Sequence, residues 1–500
     1  MLDGLTYLKP EIFLSISAML LLMYGVFNQK KPFIAQRLFA VAAIILISTI
    51  YLLHEAGGAA SEASRLDNGV DWYLVTALGK SFVYDPLAFF SKFLICITSA
   101  AVCIIGMNSR FYAGSNQNVF EFPVILLLAV VGMFILVSSN DLLTFYLGLE
   151  LQSLALYVLV AVNRDCEKST ESGVKYFVLG ALASGVILFG TSFIYGFAGS
   201  TNFSELATII KSNNSIEALS PGMVFGFVLI LAGLFFKLSA VPMHMWAPDV
   251  YEGAPKSVVA FIATAPKIAA IVFLMRLVSV MEGPMFLPFG KILILVSAAS
   301  MIVGAFAALR QNSFKRLLAY SSIANVGYML IAVAVGTEPA FQSAIVYLTI
   351  YMVGTIGTFA ILSLIQKADE DVDAISEIAG LAKTNPLYAL ALATFMFSVA
   401  GIPPMAGFFG KFFVFKEAIS AGYITLSIIG VVTSVVACYY YLRIIKLMYF
   451  DESNNSSIII SDNSLMLRFV ILVSLMFTLL MIFFSDTILS AADIATSSLF

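Results

Sequence analysis

Five ionisable residues fall inside stretches that are otherwise apolar: Lys92, Glu150, Lys237, Lys267 and Lys411. A charged side chain at the centre of a membrane helix costs about 2.5 to 3.5 kcal/mol to insert, so each needs a reason to be there. Glu150 comes nine residues after Asp141, about 13 Å along a helix at 1.5 Å per residue, near the midplane. Lys267 directly follows Pro266, Lys237 stands five residues before Pro242, and Lys411 stands seven after Pro404. Proline strips a carbonyl one turn earlier of its donor, and such backbone survives at membrane depth only where protein or water satisfies it. Lysines and a carboxylate at that depth, next to helix breaks, are groups that can hold and pass a proton. Burial disfavours the charged lysine and a nearby carboxylate favours it, so a carboxylate beside one of these lysines would control its proton. Lys92, eight residues into its span and seven after Asp85, reads instead as a structural pair or a side chain whose stem reaches the interface.

The elements that carry these residues follow from composition. Of 500 residues 60% are hydrophobic and 11% charged, where soluble domains run near half apolar and a quarter charged. With a mean hydropathy of +0.97, the chain reads as an all-α polytopic membrane protein. Spans are predicted near 10–28, 37–54, 84–106, 119–138, 141–162, 173–198, 220–241, 257–279, 289–308, 319–336, 341–366, 387–420, 422–447 and 465–491, about fourteen in all. The seventh is broken at Pro242 and the twelfth at Pro403 and Pro404. Broken helices five apart imply a five-span unit repeated upside down, spans 4 to 8 and 9 to 13, because five is odd. The organisation is then 1–118, a three-helix segment; 119–280 and 281–450, the inverted units; and 451–500, a C-terminal helix.

Other chemistries are excluded. Cys96, Cys103, Cys166 and Cys438 are far apart, and His54 and His244 are the two histidines, so neither an iron-sulfur nor a zinc site is expected. No phosphate-binding loop or dinucleotide fingerprint occurs, and a net charge of -3 with scattered charges makes no case for nucleic acid. Energy must arrive from an ion gradient or a partner. His244 is a relay or gate candidate, with a structural hydrogen bond as the competing reading. Asp369, Glu370, Asp371 and Asp373 read as a solvated loop face. Sixteen basic residues lie in loops of one parity and seven in the other, which puts the first set in the cytoplasm and both termini on the periplasmic side of a bacterial inner membrane, or the equivalent in a mitochondrion. The start, Met1 to Leu5, has no basic leader region, so the first apolar run is expected to be a retained helix.

Three strings, Glu171 to Gly185, Phe236 to Pro255 and Ala400 to Lys411, resemble those of the antiporter-like proton-channel subunits of respiratory complex I, over nearly the whole chain. Within that family the chain is most similar to the NADH-quinone oxidoreductase subunit N group, counterpart of mitochondrial subunit 2: Lys411 stands where the middle-sized subunit has glutamate, and Asn325 of the motif Tyr320 to Asn325 where it has histidine. The resemblance implies a subunit of a proton-translocating NADH:quinone oxidoreductase. Glu150 matches the glutamate that pairs with the seventh-helix lysine, Lys237; Lys267 matches the central lysine and Lys411 that of the other half-channel. It also implies that NADH, flavin, iron-sulfur clusters and quinone belong to partner subunits, with no cofactor in this chain, and that neighbouring antiporter-like subunits and lipid surround it. A signal from quinone reduction would alter the Glu150–Lys237 separation or its hydration, and the proton would pass to Lys267, with Lys411 completing the path. A cation/proton antiporter subunit without redox coupling is the alternative reading. A scaffold that carries no ions is a third, opposed by the cost of the midplane charges.

Overall fold

A computed structural model of the chain describes residues 6–29, 31, 33–68, 75–108, 119–212, 219–281, 285–367, 373–452, 458–460 and 464–499. Each predicted span holds a helix. In chain order these are α1 (Lys9–Asn28), α2 (Ile34–Asn68), α3 (Pro86–Met107), α4 (Glu121–Val137), α5 (Leu142–Val160), α6 (Glu167–Ala198), an amphipathic α7 (Phe203–Ser212), and α8 (Pro221–Leu238) with its continuation α9 (Trp246–Gly253). There follow α10 (Lys256–Ala263) and α11 (Ala265–Val280), α12 (Phe286–Ala308), α13 (Phe314–Val335), α14 (Glu338–Leu364), α15 (Pro386–Ala400) and its continuation α16 (Ala406–Ser420), α17 (Ile424–Phe450), α18 (Leu465–Leu480) and α19 (Ser485–Ser497). Among the described residues twelve helical stretches are long and apolar enough to cross a membrane, and α4 and α15 are shorter apolar helices.

Local chemistry sets the ends. Asp85 and Asp141 cap α3 and α5, each carboxylate accepting from backbone N–H groups of the first turn at 2.8 Å. The broken helices behave as expected and alike. Ser239 closes α8 and Gly401 closes α15, both in the left-handed conformation, and in each break the next N–H reaches back to a helix carbonyl, Ala240 to Phe235 at 2.8 Å and Ile402 to Phe397 at 3.1 Å. Both breaks hold a cis peptide, before Pro242 and before Pro404.

Three features differ from the sequence reading. The eighth span is itself interrupted at Thr264, whose hydroxyl turns back to the Ala260 carbonyl at 2.7 Å just before Pro266. The last span ends at Leu480, because the polar pair Ser485 and Asp486 begins a separate helix. Two small antiparallel pairs were not foreseen, β1 (Val75–Ala77) with β2 (Phe82–Tyr84), and β3 (Ile365–Lys367) with β4 (Ile458–Ile460), since strands of three residues leave no periodic signal. Asp369, Glu370 and Asp371 lie outside the described residues. Asp373 docks on the start of α13, its carbonyl accepting from the Phe314 N–H at 2.7 Å.

Small residues let the helices approach. A side chain on Gly132 would meet the Gln152 backbone at 2.5 Å, and one on Gly148 the Leu136 backbone at 2.8 Å, so α4 and α5 touch backbone to backbone. Helices α10, α11, α13 and α14 form the interior. Around them α1, α2, α6, α12, α17 and α18 turn large apolar side chains outward, as a lipid-facing rim does.

Candidate functional site

The first break places Lys237 in the last turn of α8, buried, with its ammonium donating to Ser153 Oγ at 2.8 Å, Tyr157 Oη at 3.1 Å and Ser184 Oγ at 3.4 Å. Three hydroxyls therefore satisfy three N–H groups. Glu150 shares a face of α5 with Ser153 and Tyr157, at spacings of three and seven residues. It makes no hydrogen bond or ion pair with Lys237, and its Oε1 is buried without a hydrogen-bond partner among the described residues. Trp246 pins the far side of the break by donating its indole N–H to the Phe236 carbonyl at 2.9 Å.

The second lysine, Lys267, sits in the first turn of α11, set there by the Thr264 interruption and Pro266. It donates to Ser239 Oγ at 3.2 Å and, in a closer contact, to Ser322 Oγ. Ser239 is the left-handed residue that ends α8, so one serine both closes the first broken helix and touches the second lysine. Ser322 also bonds Tyr351 Oη at 2.6 Å and accepts from Tyr251 at 3.4 Å. Its neighbour Ser321 pairs with Tyr441 and accepts from Asn325 Nδ2 at 3.3 Å, and Tyr347 donates to Asn325 Oδ1 at 2.5 Å. The Tyr320–Asn325 motif thus supplies α13 with a row of hydroxyl and amide groups. A cavity with about 20 Å³ of water-accessible space, room for about one water, lies against Tyr251, Ser321, Tyr351 and Tyr441.

Beyond it the second break presents Lys411. Its ammonium donates to the Ala400 carbonyl at the open end of α15 at 3.1 Å and to Ser434 Oγ at 2.9 Å, and lies 4.9 Å above the Tyr328 ring. Tyr328 lies edge-on to Tyr347 with centroids 6.3 Å apart, which brings the α13 row to Lys411. Ser239, two residues after Lys237, brings Lys267 to the first break, and none of the three lysines has a carboxylate within ion-pair distance among the described residues. The hydroxyls that hold these lysines were missed in the sequence because serine, threonine and tyrosine are common in membrane helices. Ser239, next to a helix break, is the one a sequence could have flagged. His244 lies half-buried in the first break between the exposed Met243 and Met245 and bonds none of the three lysines.

Lys92 belongs elsewhere. It is fully buried, pairs with Glu11 at 2.6 Å and is surrounded by the rings of Phe82, Tyr84 and Phe134 at 4.8 to 5.5 Å, so its stem does not reach the interface as supposed. Nearby, Arg276 grips Asp85 with two bonds of 2.8 and 2.7 Å and donates to the Val137 carbonyl at 2.9 Å. At the basic-loop end, Asp249 and Glu252 of α9 meet Lys168, Lys175 and Arg316 at 2.7 to 3.4 Å. Partial burial alone would raise both carboxyls. The hydrogen bonds from Lys175 and Arg316 to Asp249, and chiefly from Arg316 to Glu252, outweigh it and hold them below the usual carboxylate range. No group of residues suited to a metal ion occurs among the described residues.

Residues 139–437 match the family described as NADH:quinone oxidoreductase/Mrp antiporter, TM. NADH-quinone oxidoreductase subunit N 1 of Rhizobium meliloti is 47% identical over 86% of this chain and 85% of its own length. Subunit N of Rhodospirillum rubrum is 46% identical over 86% and 84%. Among solved structures, a chain of respiratory complex I from Thermus thermophilus matches with a TM-score of 0.78 at 29% identity, covering 97% of this chain and 99% of that one. A chain of the Mrp complex from Dietzia matches in fold with a TM-score of 0.82 at 20% identity, over 100% and 98%. A family match over more than half of the chain and relatives at this level of identity lead to one conclusion: the chain belongs to the NADH:quinone oxidoreductase/Mrp antiporter membrane family, in the group of the NADH-quinone oxidoreductase N subunits.

Proposed function

We propose that this chain is a proton-translocating membrane subunit of NADH:quinone oxidoreductase, in which Glu150, Lys237, Lys267 and Lys411 carry the protons. Residues 119–280 and 281–450 act as the two inverted units, flanked by 1–118 and 451–500. The observation that supports it most is that Lys237, Lys267 and Lys411 are three buried lysines held by hydroxyls and, at Lys411, a carbonyl rather than by carboxylates. Groups held that way can lose a proton without leaving a buried anion behind. NADH oxidation, flavin, iron-sulfur clusters and quinone are assigned to partner subunits. The membrane is the bacterial inner membrane, with the basic loops in the cytoplasm and both termini in the periplasm.

Position on the helices gives the path a direction. Lys237 lies at the C-terminal end of α8, where the helix dipole favours a cation, and Lys267 at the N-terminal end of α11, where it opposes one. A proton therefore rests on Lys237 and must be driven to Lys267. A change at Glu150, free of any hydrogen bond at Oε1, is the lever: withdrawing its negative charge weakens the hold of Lys237 on its proton. Lys411 receives the proton through the α13 row and releases it to the opposite side. Moving one charge against about 100 mV costs about 2.3 kcal/mol, a demand that a charge change at close range in a low-dielectric interior meets.

The test is the proton-to-electron ratio of the intact complex in proteoliposomes. Lys237→Met, Lys267→Met and Lys411→Met are each expected to lower it. Wild-type ratios in all three would refute the assignment.

A further inference from the structure

Tyr157 faces two ways. On one side its hydroxyl accepts from Lys237 at 3.1 Å. On the other it forms part of the wall of a vestibule with about 870 Å³ of water-accessible space between α1, α4, α5 and α6. The mouth of the vestibule carries Gln29, Glu121, Arg164, Asp165 and Thr170, all at helix ends on the basic-loop face. Ser153 and Ser184, the other two partners of Lys237, are not in its wall. The ring of Tyr157 is fixed edge-on against Tyr176 and Phe177, with centroids 4.7 and 5.8 Å away. Its hydroxyl lies against Gly180, where an added Cβ would stand 2.0 Å from it.

We propose that Tyr157 is a relay residue that loads Lys237 with protons drawn from this vestibule. The proposal rests on the proton-carrying role of Lys237 put forward above. When Lys237 has given up a proton, its neutral amine has a lone pair facing the Tyr157 oxygen. The Tyr157 O–H bond breaks toward that lone pair as a new N–H bond forms, and a hydronium or water chain in the vestibule returns a proton to the phenol oxygen. Tyr157 ends as it began, Lys237 ends as an ammonium, and one proton has left the aqueous phase of the basic-loop side. Glu121 and Asp165 stand at the mouth, where that phase begins. Gly180 is a positioning residue, because any side chain there displaces the hydroxyl.

The experiment uses the whole complex in proteoliposomes and reads protons per electron, a ratio that a loss of stability or of active fraction does not change. Tyr157→Phe keeps the ring packing and removes the relay. It is expected to lower the ratio by the same fraction as Lys237→Met, and Gly180→Ala is expected to follow it. In a second arm, Val158→Cys in the vestibule wall is treated with a charged, membrane-impermeant thiosulfonate. The expected result is a lowered ratio when the reagent is on the basic-loop side, restored by reductant, with the unsubstituted complex as control. If Lys237→Met lowers the ratio and Tyr157→Phe does not, the relay is overturned while the pathway stands. If Lys237→Met leaves the ratio unchanged, the pathway itself fails. Should Tyr157→Phe not assemble, the second arm decides, and an unchanged ratio after modification overturns the proposal.

Discussion

The buried charges divide into those that are neutralised and those that are only solvated, and the two kinds should respond differently to substitution. Lys92 and Glu11 form a buried pair. Removing the lysine leaves an uncompensated carboxylate, which costs about 3 to 5 kcal/mol. Lys92→Met is therefore expected to lower the thermal midpoint of the purified complex without altering protons per electron, and adding Glu11→Gln should recover much of the loss. The sequence could not name that partner, since Glu11 lies 81 positions away. Glu150 is the opposite case. Its Oε1 has no hydrogen-bond partner among the described residues, so Glu150→Gln breaks nothing there. The expected result is an unchanged thermal midpoint with slower proton transfer in single-turnover pumping. Ser239 combines both effects, because it holds a left-handed conformation at φ 57° that glycine adopts more cheaply, yet its hydroxyl touches Lys267. Ser239→Gly should leave stability unchanged or raised and pumping slowed, and a loss of stability would count against this account.

At the scale of elements, the two breaks were legible because proline leaves a mark that no packing can hide. The Thr264 interruption was not, since a proline in the first turn of a helix is ordinary. What the sequence could not reveal is how the half-helix α9 is held. Asp249 and Glu252 clamp it to α6 and α13 through Lys168, Lys175 and Arg316. Both carboxyls are held below their unfolded values, so the clamp is complete above the ordinary carboxylate range of about 4 and weakens as pH falls through the lowered values. Proteolytic accessibility of the α9 region is thus expected to be flat from neutral pH down to about 5, whereas Arg316→Ala should raise it even at neutral pH. These groups are partly exposed, so salt should screen the effect. Close helix contact makes a separate demand: Gly148→Val forces α4 and α5 apart and is expected to abolish assembly, read as loss of the intact complex on a native gel.

For the whole molecule, the deciding observation is what it travels with. Tagged chain taken from native membranes in mild detergent is expected to carry NADH:quinone oxidoreductase activity sensitive to quinone-site inhibitors. If it brings other antiporter-like chains and no such activity, the cation/proton antiporter reading replaces the redox one. The sequence by itself determined the class of solvent, the helical architecture, the two broken helices and five ionisable residues to watch, because hydropathy, proline and intramembrane charge are local and expensive. Only the tertiary structure decided which of those charges are paired and which are strung together. Lys92 and Lys237 look alike along the chain, each a lysine in an apolar helix. One meets Glu11 from α1 and the other meets Ser153, Tyr157 and Ser184 from α5 and α6. A contact across tens of residues depends on the packing of several helices at once, and a serine or tyrosine carries no signal of whether its hydroxyl will face a lysine or turn back to its own helix.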